Sequence, residues 1–154
     1  MRRERFHAFA LEALGKGPDV RGAEPWDRGD HTVGLHVTFS TGAQVWISIT
    51  TALAPGEKHE SAEAPVHAEP PAEVPVPELY QDGSTTPEKV KHYLAAVMAN
   101  SGCDEIALVY PYADDGHPGF GLQFHNGAKV FCLLVHSARP GQSPGAKYEL
   151  QAAF

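Results

Sequence analysis

Phe120-Gly-Leu-Gln-Phe-His-Asn-Gly-Ala-Lys-Val-Phe-Cys-Leu-Leu-Val135 decides the fold. Two alternating runs flank Asn126-Gly127, and Asn-Gly between such runs is a strong hairpin signal. A two-residue loop would pair His125 with Ala128, Gln123 with Val130 and Gly121 with Cys132. That register predicts one core face made by Phe120, Leu122, Phe124, Phe131, Leu133 and Val135. Gly121, Gln123, His125, Val130, Cys132, Leu134 and His136 would form a mixed second face.

Upstream, Val33–Phe39 and Val45–Ile49 alternate in the same way. A three-residue loop over 41–43 sets Val37 against Ile47 and keeps apolar residues on one side. The other side then carries His36 opposite Ser48 and Thr38 opposite Trp46, a polar face with one large aromatic ring. Residues 2–14 read as a helix with Phe6, Phe9, Ala10, Ala13 and Leu14 as its apolar stripe. Residues 86–100 read as a second helix, with Thr85-Thr86-Pro87-Glu88 as a capping box. Asp104–Tyr110 reads as a strand with apolar side chains on both faces, which predicts a central strand. Residues 18–31 read as a loop in which Trp26 is a lid or a ligand platform. Residues 146–150 would add an edge strand, with Tyr148 and Leu150 inward.

The expected fold is therefore α+β over 1–154. Two hairpins and a central strand make an antiparallel sheet, two helices pack on one face, and 54–82 is a long acidic loop. No internal repeat is evident, although the order allows two loosely similar α-β-β halves.

The net charge of −7 is unevenly placed. Residues 54–82 hold seven acids against Lys58 alone, a net −6, so the rest of the chain is near neutral. This argues against nucleic-acid binding through phosphates. Proline, glutamate and alanine dominate 54–79, a composition that predicts a mobile loop, partly polyproline II near Pro70–Pro77. Its expected docking peptide is Val74-Pro75-Val76-Pro77. No stretch has the length of a transmembrane span and none reads as a signal peptide, so a cytoplasmic protein without a membrane partner is expected.

Chemistry-bearing residues are scattered. The nine histidines lack the close helical spacing of zinc ligands, so no metal or other cofactor is expected. Cys132 lies about 13 Å along the sheet from His125 and His136 in the expected register, too far for a nucleophile–base pair. Asp114-Asp115-Gly116-His117 is the most enzyme-like stretch, and its residues are also those of a tight turn. The leading expectation is a non-catalytic protein-binding accessory domain, as in an adaptor, inhibitor or immunity protein. Its partner would be a protein, basic if the acidic segment steers it. Its contacts would be Trp46, His36, Thr38, Ser48 and Trp26. One alternative is a small enzyme or ligand-binding domain using the 114–117 loop. Another is a self-associating structural subunit, for example of a phage particle.

Overall fold

The structure, a computed structural model, describes residues 1–27, 33–112, 118–143 and 149–154. Its elements are α1 (Arg3–Gly15), β1 (Val20–Asp27), β2 (Val33–Phe39), β3 (Gln44–Ala52), α2 (Pro87–Ala99), β4 (Ile106–Pro111), β5 (Gly119–Phe124) and β6 (Lys129–Ala138). The strands form one six-stranded antiparallel sheet in the order β1-β2-β3-β6-β5-β4, and both helices pack on one face of it. Among the described residues, no helix is long and apolar enough to cross a membrane.

The helices follow their stripes. Phe6, Ala10, Ala13 and Leu14 of α1 are buried, as are Val90, Tyr93, Leu94, Val97 and Met98 of α2. The α2 cap sits one residue later than expected. Thr86 accepts from the Lys89 amide at 3.2 Å, and Glu88 bonds Lys91 Nζ at 2.6 Å instead of closing a capping box. Lys91 Nζ also reaches the Tyr112 carbonyl at 2.5 Å, which explains how a lysine comes to be buried on this helix.

Four expectations are corrected. First, the central hairpin has a three-residue loop. Phe124 donates to the Ala128 carbonyl, Gly127 donates back to Phe124, and Gly127 alone takes positive φ, at +91°. A type I turn closed by a left-handed glycine therefore replaces the two-residue turn. The pairing moves by one residue, so Val130, Cys132 and Leu134 face the core in place of Phe131, Leu133 and Val135. Second, the β2–β3 loop is Ser40-Thr41-Gly42, one residue earlier than expected. Pairing moves by two, so faces are kept but partners change: His36 lies opposite Trp46 and Thr38 opposite Gln44. Third, residues 20–27 are a strand and not a loop. An outer strand tolerates the Gly, Pro and Glu that made this stretch read as irregular. Fourth, β4 is the opposite edge and not a central strand; Ala107 and Leu108 are exposed, and β3 and β6 are central.

The expected strand over 146–150 is only partly described. Tyr148 lies outside the described residues, and 149–154 form no strand. Leu150 packs against the core, and buried Phe154 exchanges two backbone hydrogen bonds with Thr85 at 2.8 and 3.0 Å.

The element order is αβββ twice, and the second unit repeats the first. The α1 core positions Phe6, Ala10, Ala13 and Leu14 correspond to Val90, Leu94, Val97 and Met98, 84 residues on. Phe39-Ser-Thr-Gly-Ala-Gln-Val45 corresponds to Phe124-His-Asn-Gly-Ala-Lys-Val130, 85 residues on, through identical three-residue loops. Pro25-Trp26 and Pro111-Tyr112 occupy the two edges, 86 apart. Gly34 and Gly119 share a constraint. A Cβ on Gly34 would fall on the Ile47 carbonyl oxygen and the Trp26 ring; one on Gly119 would fall on the Cys132 carbonyl and the Tyr112 ring. The two units join edge to edge through β3 and β6.

Gly34→Ala and Gly119→Ala are expected to destabilise the fold by about 1–3 kcal/mol each, through the same overpacking. Gly22→Ala, where a Cβ meets open space, is expected to stay within about 0.5 kcal/mol. Urea unfolding of the three variants checks the pattern.

Candidate functional site

The pairing puts the expected contact residues on the sheet face opposite α1 and α2. Trp26, His36, Thr38, Trp46 and Ser48 share this face, together with Tyr110, Phe131 and Leu133. Trp46 is its centre but not its surface. The indole is only 4% exposed. It stacks on His36 at 4.4 Å between ring centroids and meets the tilted His136 ring at 5.0 Å. These neighbours come from β2 and β6, the strands on either side of β3. Gln44 fixes His36 through a 3.0 Å hydrogen bond and donates to the Gln142 carbonyl at 2.9 Å, so the turn after β6 borders this end of the face. The Glu149 amide donates to His136 Nδ1 at 2.8 Å. Burial pushes the His136 imidazole below its ordinary value.

Ser48 lies opposite Leu133, and Trp26 is half-buried with its ring against Gly34. Phe131 occupies in the second unit the position that Trp46 holds in the first, and stacks on Tyr112 at 5.9 Å. Among the described strand positions of this face, only Glu24 and Lys129 are charged. Two signals in the sequence pointed to the second half of this face: the Phe-x-x-Gly-Ala-x-Val repeat and the paired Pro-aromatic dipeptides.

The acidic segment lies on the other side of the molecule. Residues 54–79 contain no helix or strand, as their composition dictates. The chain passes α1, where the Arg2 Nε donates to Glu57 at 2.8 Å and Arg5 forks between Glu63 and Glu105 at 2.6 Å. Two of the seven acids are thus balanced internally, by arginines of α1 and its N-cap. Arg5 pulls the Glu63 carboxyl down to about 2. The chain then accepts from the Asn126 side chain at the Ala64 carbonyl, contacts His125 through Glu69 O, and donates from the Ala68 amide to the Asp104 carbonyl. Asn100, at the end of α2, grips the Val74 main chain in both directions, at 2.8 and 2.7 Å. Leu79 enters the core, and Tyr80 reaches Ser40 at 2.7 Å.

Pinned there, Val74-Pro75-Val76-Pro77 forms a ridge between two grooves. One, about 540 Å³, is floored by Ala95, Ala96 and Ala99 of α2 and by Val109. The other, about 410 Å³, lies along Phe9, Ala13 and Val97. The exposed large apolar side chains among the described residues are Val66 (46%), Val74 (43%), Val76 (36%) and Leu108 (50%), three of them on this segment.

The remaining candidates are dispersed. Cys132 is fully buried in the core, where desolvation raises its thiol far above the ordinary range. His7 bonds the Gly34 carbonyl and His67 pairs with Asp104 at 2.9 Å. Among the described residues, no three His, Cys, Asp or Glu side chains converge as metal ligands would. The Asp114-Asp115-Gly116-His117 loop lies outside the described residues. Comparison with known proteins returns no match, whether to a family model, a curated protein or a solved structure.

Two outcomes are expected from these groups. His136 is held below its ordinary value when folded, so its contribution is present above about pH 6.5 and is lost as pH falls toward its folded value. His67, raised by Asp104, acts oppositely and adds stability as pH falls. Stability against urea between about pH 7 and pH 5 should therefore decline less in His136→Gln and more in His67→Ala. Separately, Arg5→Ala leaves Glu63 and the buried Glu105 without their shared partner. After discounting for the half-exposed arginine, a loss of about 1–2 kcal/mol is expected, with faster proteolysis near residue 60.

Proposed function

We propose that the protein is a non-catalytic protein-binding module that presents the Val74–Pro77 ridge to its partner. The observation that carries this reading is the pinning of an exposed apolar ridge by Asn100, which holds its main chain and leaves its side chains outward. Val-Pro-Val-Pro in extended form is a low-entropy ligand, because two of its four residues have φ already fixed. A partner that fits it offers an aromatic-lined groove, the usual receptor for such segments. Glu69, Glu73 and Glu78 flank the ridge and are exposed, so basic groups at the partner's rim would speed encounter. Glu57 and Glu63 contribute little to that field, since Arg2 and Arg5 balance them. The Trp46 face would be a separate surface, because Trp46 itself is enclosed by the two histidines.

The test is capture from native lysate by the whole chain and by its Val74→Ser/Val76→Ser variant, both checked by circular dichroism. The wild type is expected to retain one stoichiometric partner at about 50 mM salt and less at about 300 mM. The variant should retain at least tenfold less, on the order of 1.4 kcal/mol. Equal retention by a folded variant, unaffected by salt, would remove the ridge from the contact.

A further inference from the structure

We infer that the outer edge of β4 docks an extended, basic segment of another protein, which joins the sheet as a further strand and sets a bulky apolar side chain into the groove beside α2. The inference goes beyond the ridge and does not rest on it, since β4 and α2 make the contact. Three observations carry it.

The first is an open row of main chain. β4 ends the sheet, and among the described residues only its β5 side is paired. Tyr112 donates to the Gly119 carbonyl at 2.9 Å. The alternation of an antiparallel pair therefore turns the Tyr110 main chain toward β5 and that of Val109 outward. The acidic segment closes the edge only before β4 begins, where the Ala68 amide donates to the Asp104 carbonyl. The register shifts between Ile106 and Leu108, and Pro111 lacks an N–H, so the open run is short, from Ala107 to Pro111. It carries no charge, and Leu108 is 50% exposed. β1, at the other edge, holds Arg21 and Glu24 as well as Pro25, the kind of residues that keep an edge from pairing. Only another extended main chain satisfies such a row of donors and acceptors.

The second is the position of the groove. Val109 and Pro111 line the groove of about 540 Å³ whose floor is Ala95, Ala96 and Ala99. Side chains directly opposite one another in paired strands share a face. A residue opposite Val109 would thus enter the groove, and its two neighbours would lie beside Leu108 and Tyr110 on the other face. Main-chain bonds would supply affinity, and the groove would select the residue.

The third is charge. Glu73 and Glu78 are exposed beside this groove and have no ion pair among the described residues, whereas Lys91 already bonds Glu88 at 2.6 Å. Lys89 is the one lysine or arginine lining the groove. A second copy would bring the same acids and a net −7 to this edge, so the fitting occupant is a basic segment of a different protein.

The probe is a bank of end-blocked peptides, Lys-Thr-Val-X-Val-Thr-Lys with X as Leu, Phe, Tyr or Ala, titrated into the whole isotope-labelled chain. Amides of 107–110 are expected to shift, with slower solvent exchange at Val109. The best of the three bulky peptides should bind about tenfold or more tightly than the Ala peptide, and less well at about 300 mM than at about 50 mM salt. N-methylation at X and both its neighbours keeps every side chain but removes the donors, and should abolish binding. Leu108→Lys should weaken binding about tenfold, and Val76→Ser, which lines the other groove, should not. No shift at 107–110 with any peptide up to about 1 mM overturns the inference. So does equal binding of the N-methylated peptide, or shifts confined to the ridge or to the Trp46 face. Concentration-dependent shifts of 107–110 in the chain alone would assign the edge to a second copy and also overturn it. The peptide titrations use the unaltered chain, so failure of a variant to fold leaves the inference open to refutation.

Discussion

The pairing of β3 with β6 holds the structure together. Nine positions from Gln44 to Ala52 are matched against Lys129 to Ala138, with one irregularity beside Trp46. Each αβββ unit alone would offer a three-stranded sheet with two open edges and a single helix, too little to bury its apolar face well. Joined at β3 and β6, the two units share one core in which Ile47, Ile49, Cys132 and Leu134 meet under both helices. The edges left over are β1 and β4, and each carries a proline, Pro25 or Pro111, which removes a donor that another chain could use.

This join also dictates the path of the acidic segment. The chain leaves β3 in the middle of the sheet and must reach the start of α2 before the second unit can begin. It crosses the helix side, and the bonds from Arg2, Arg5, Asn126 and Asn100 mark its route. The helices and this segment occupy one side of the sheet, while the described strand positions of the other carry only Glu24 and Lys129 as charges and several aromatic rings.

The helices, the hairpins and their core faces were largely legible, because helical and strand periods survive in the sequence. Register was not. Asn126-Gly127 is compatible with loops of two or three residues, and the choice rests on whether both residues take positive φ, as a type I′ turn needs, or Gly127 alone of the two, as it does here. The outer strands were missed for the converse reason. β1 is half exposed and bulged, so its Gly, Glu and Pro mimic a loop, whereas β4 is apolar on both faces and mimics a buried strand. The repeat was hidden because its offset drifts from 84 in the helices to 86 at the edges, although Phe-x-x-Gly-Ala-x-Val stands in plain sight twice. Of the candidate contacts, the sequence grouped Trp46, His36, Thr38 and Ser48 on one face correctly. It could not reveal that two histidines enclose the indole, since His136 is 90 residues from Trp46 and reaches it only through the central pairing.

The most direct test of this account is native-state hydrogen exchange read residue by residue. If the β3–β6 pairing makes two units one cooperative body, amides of both strands should exchange last and at a common free energy, with α1 and α2 close behind. Exchange of residues 3–52 at a free energy well separated from that of 87–138 would contradict it, since the units would then be opening independently of their shared pair of strands.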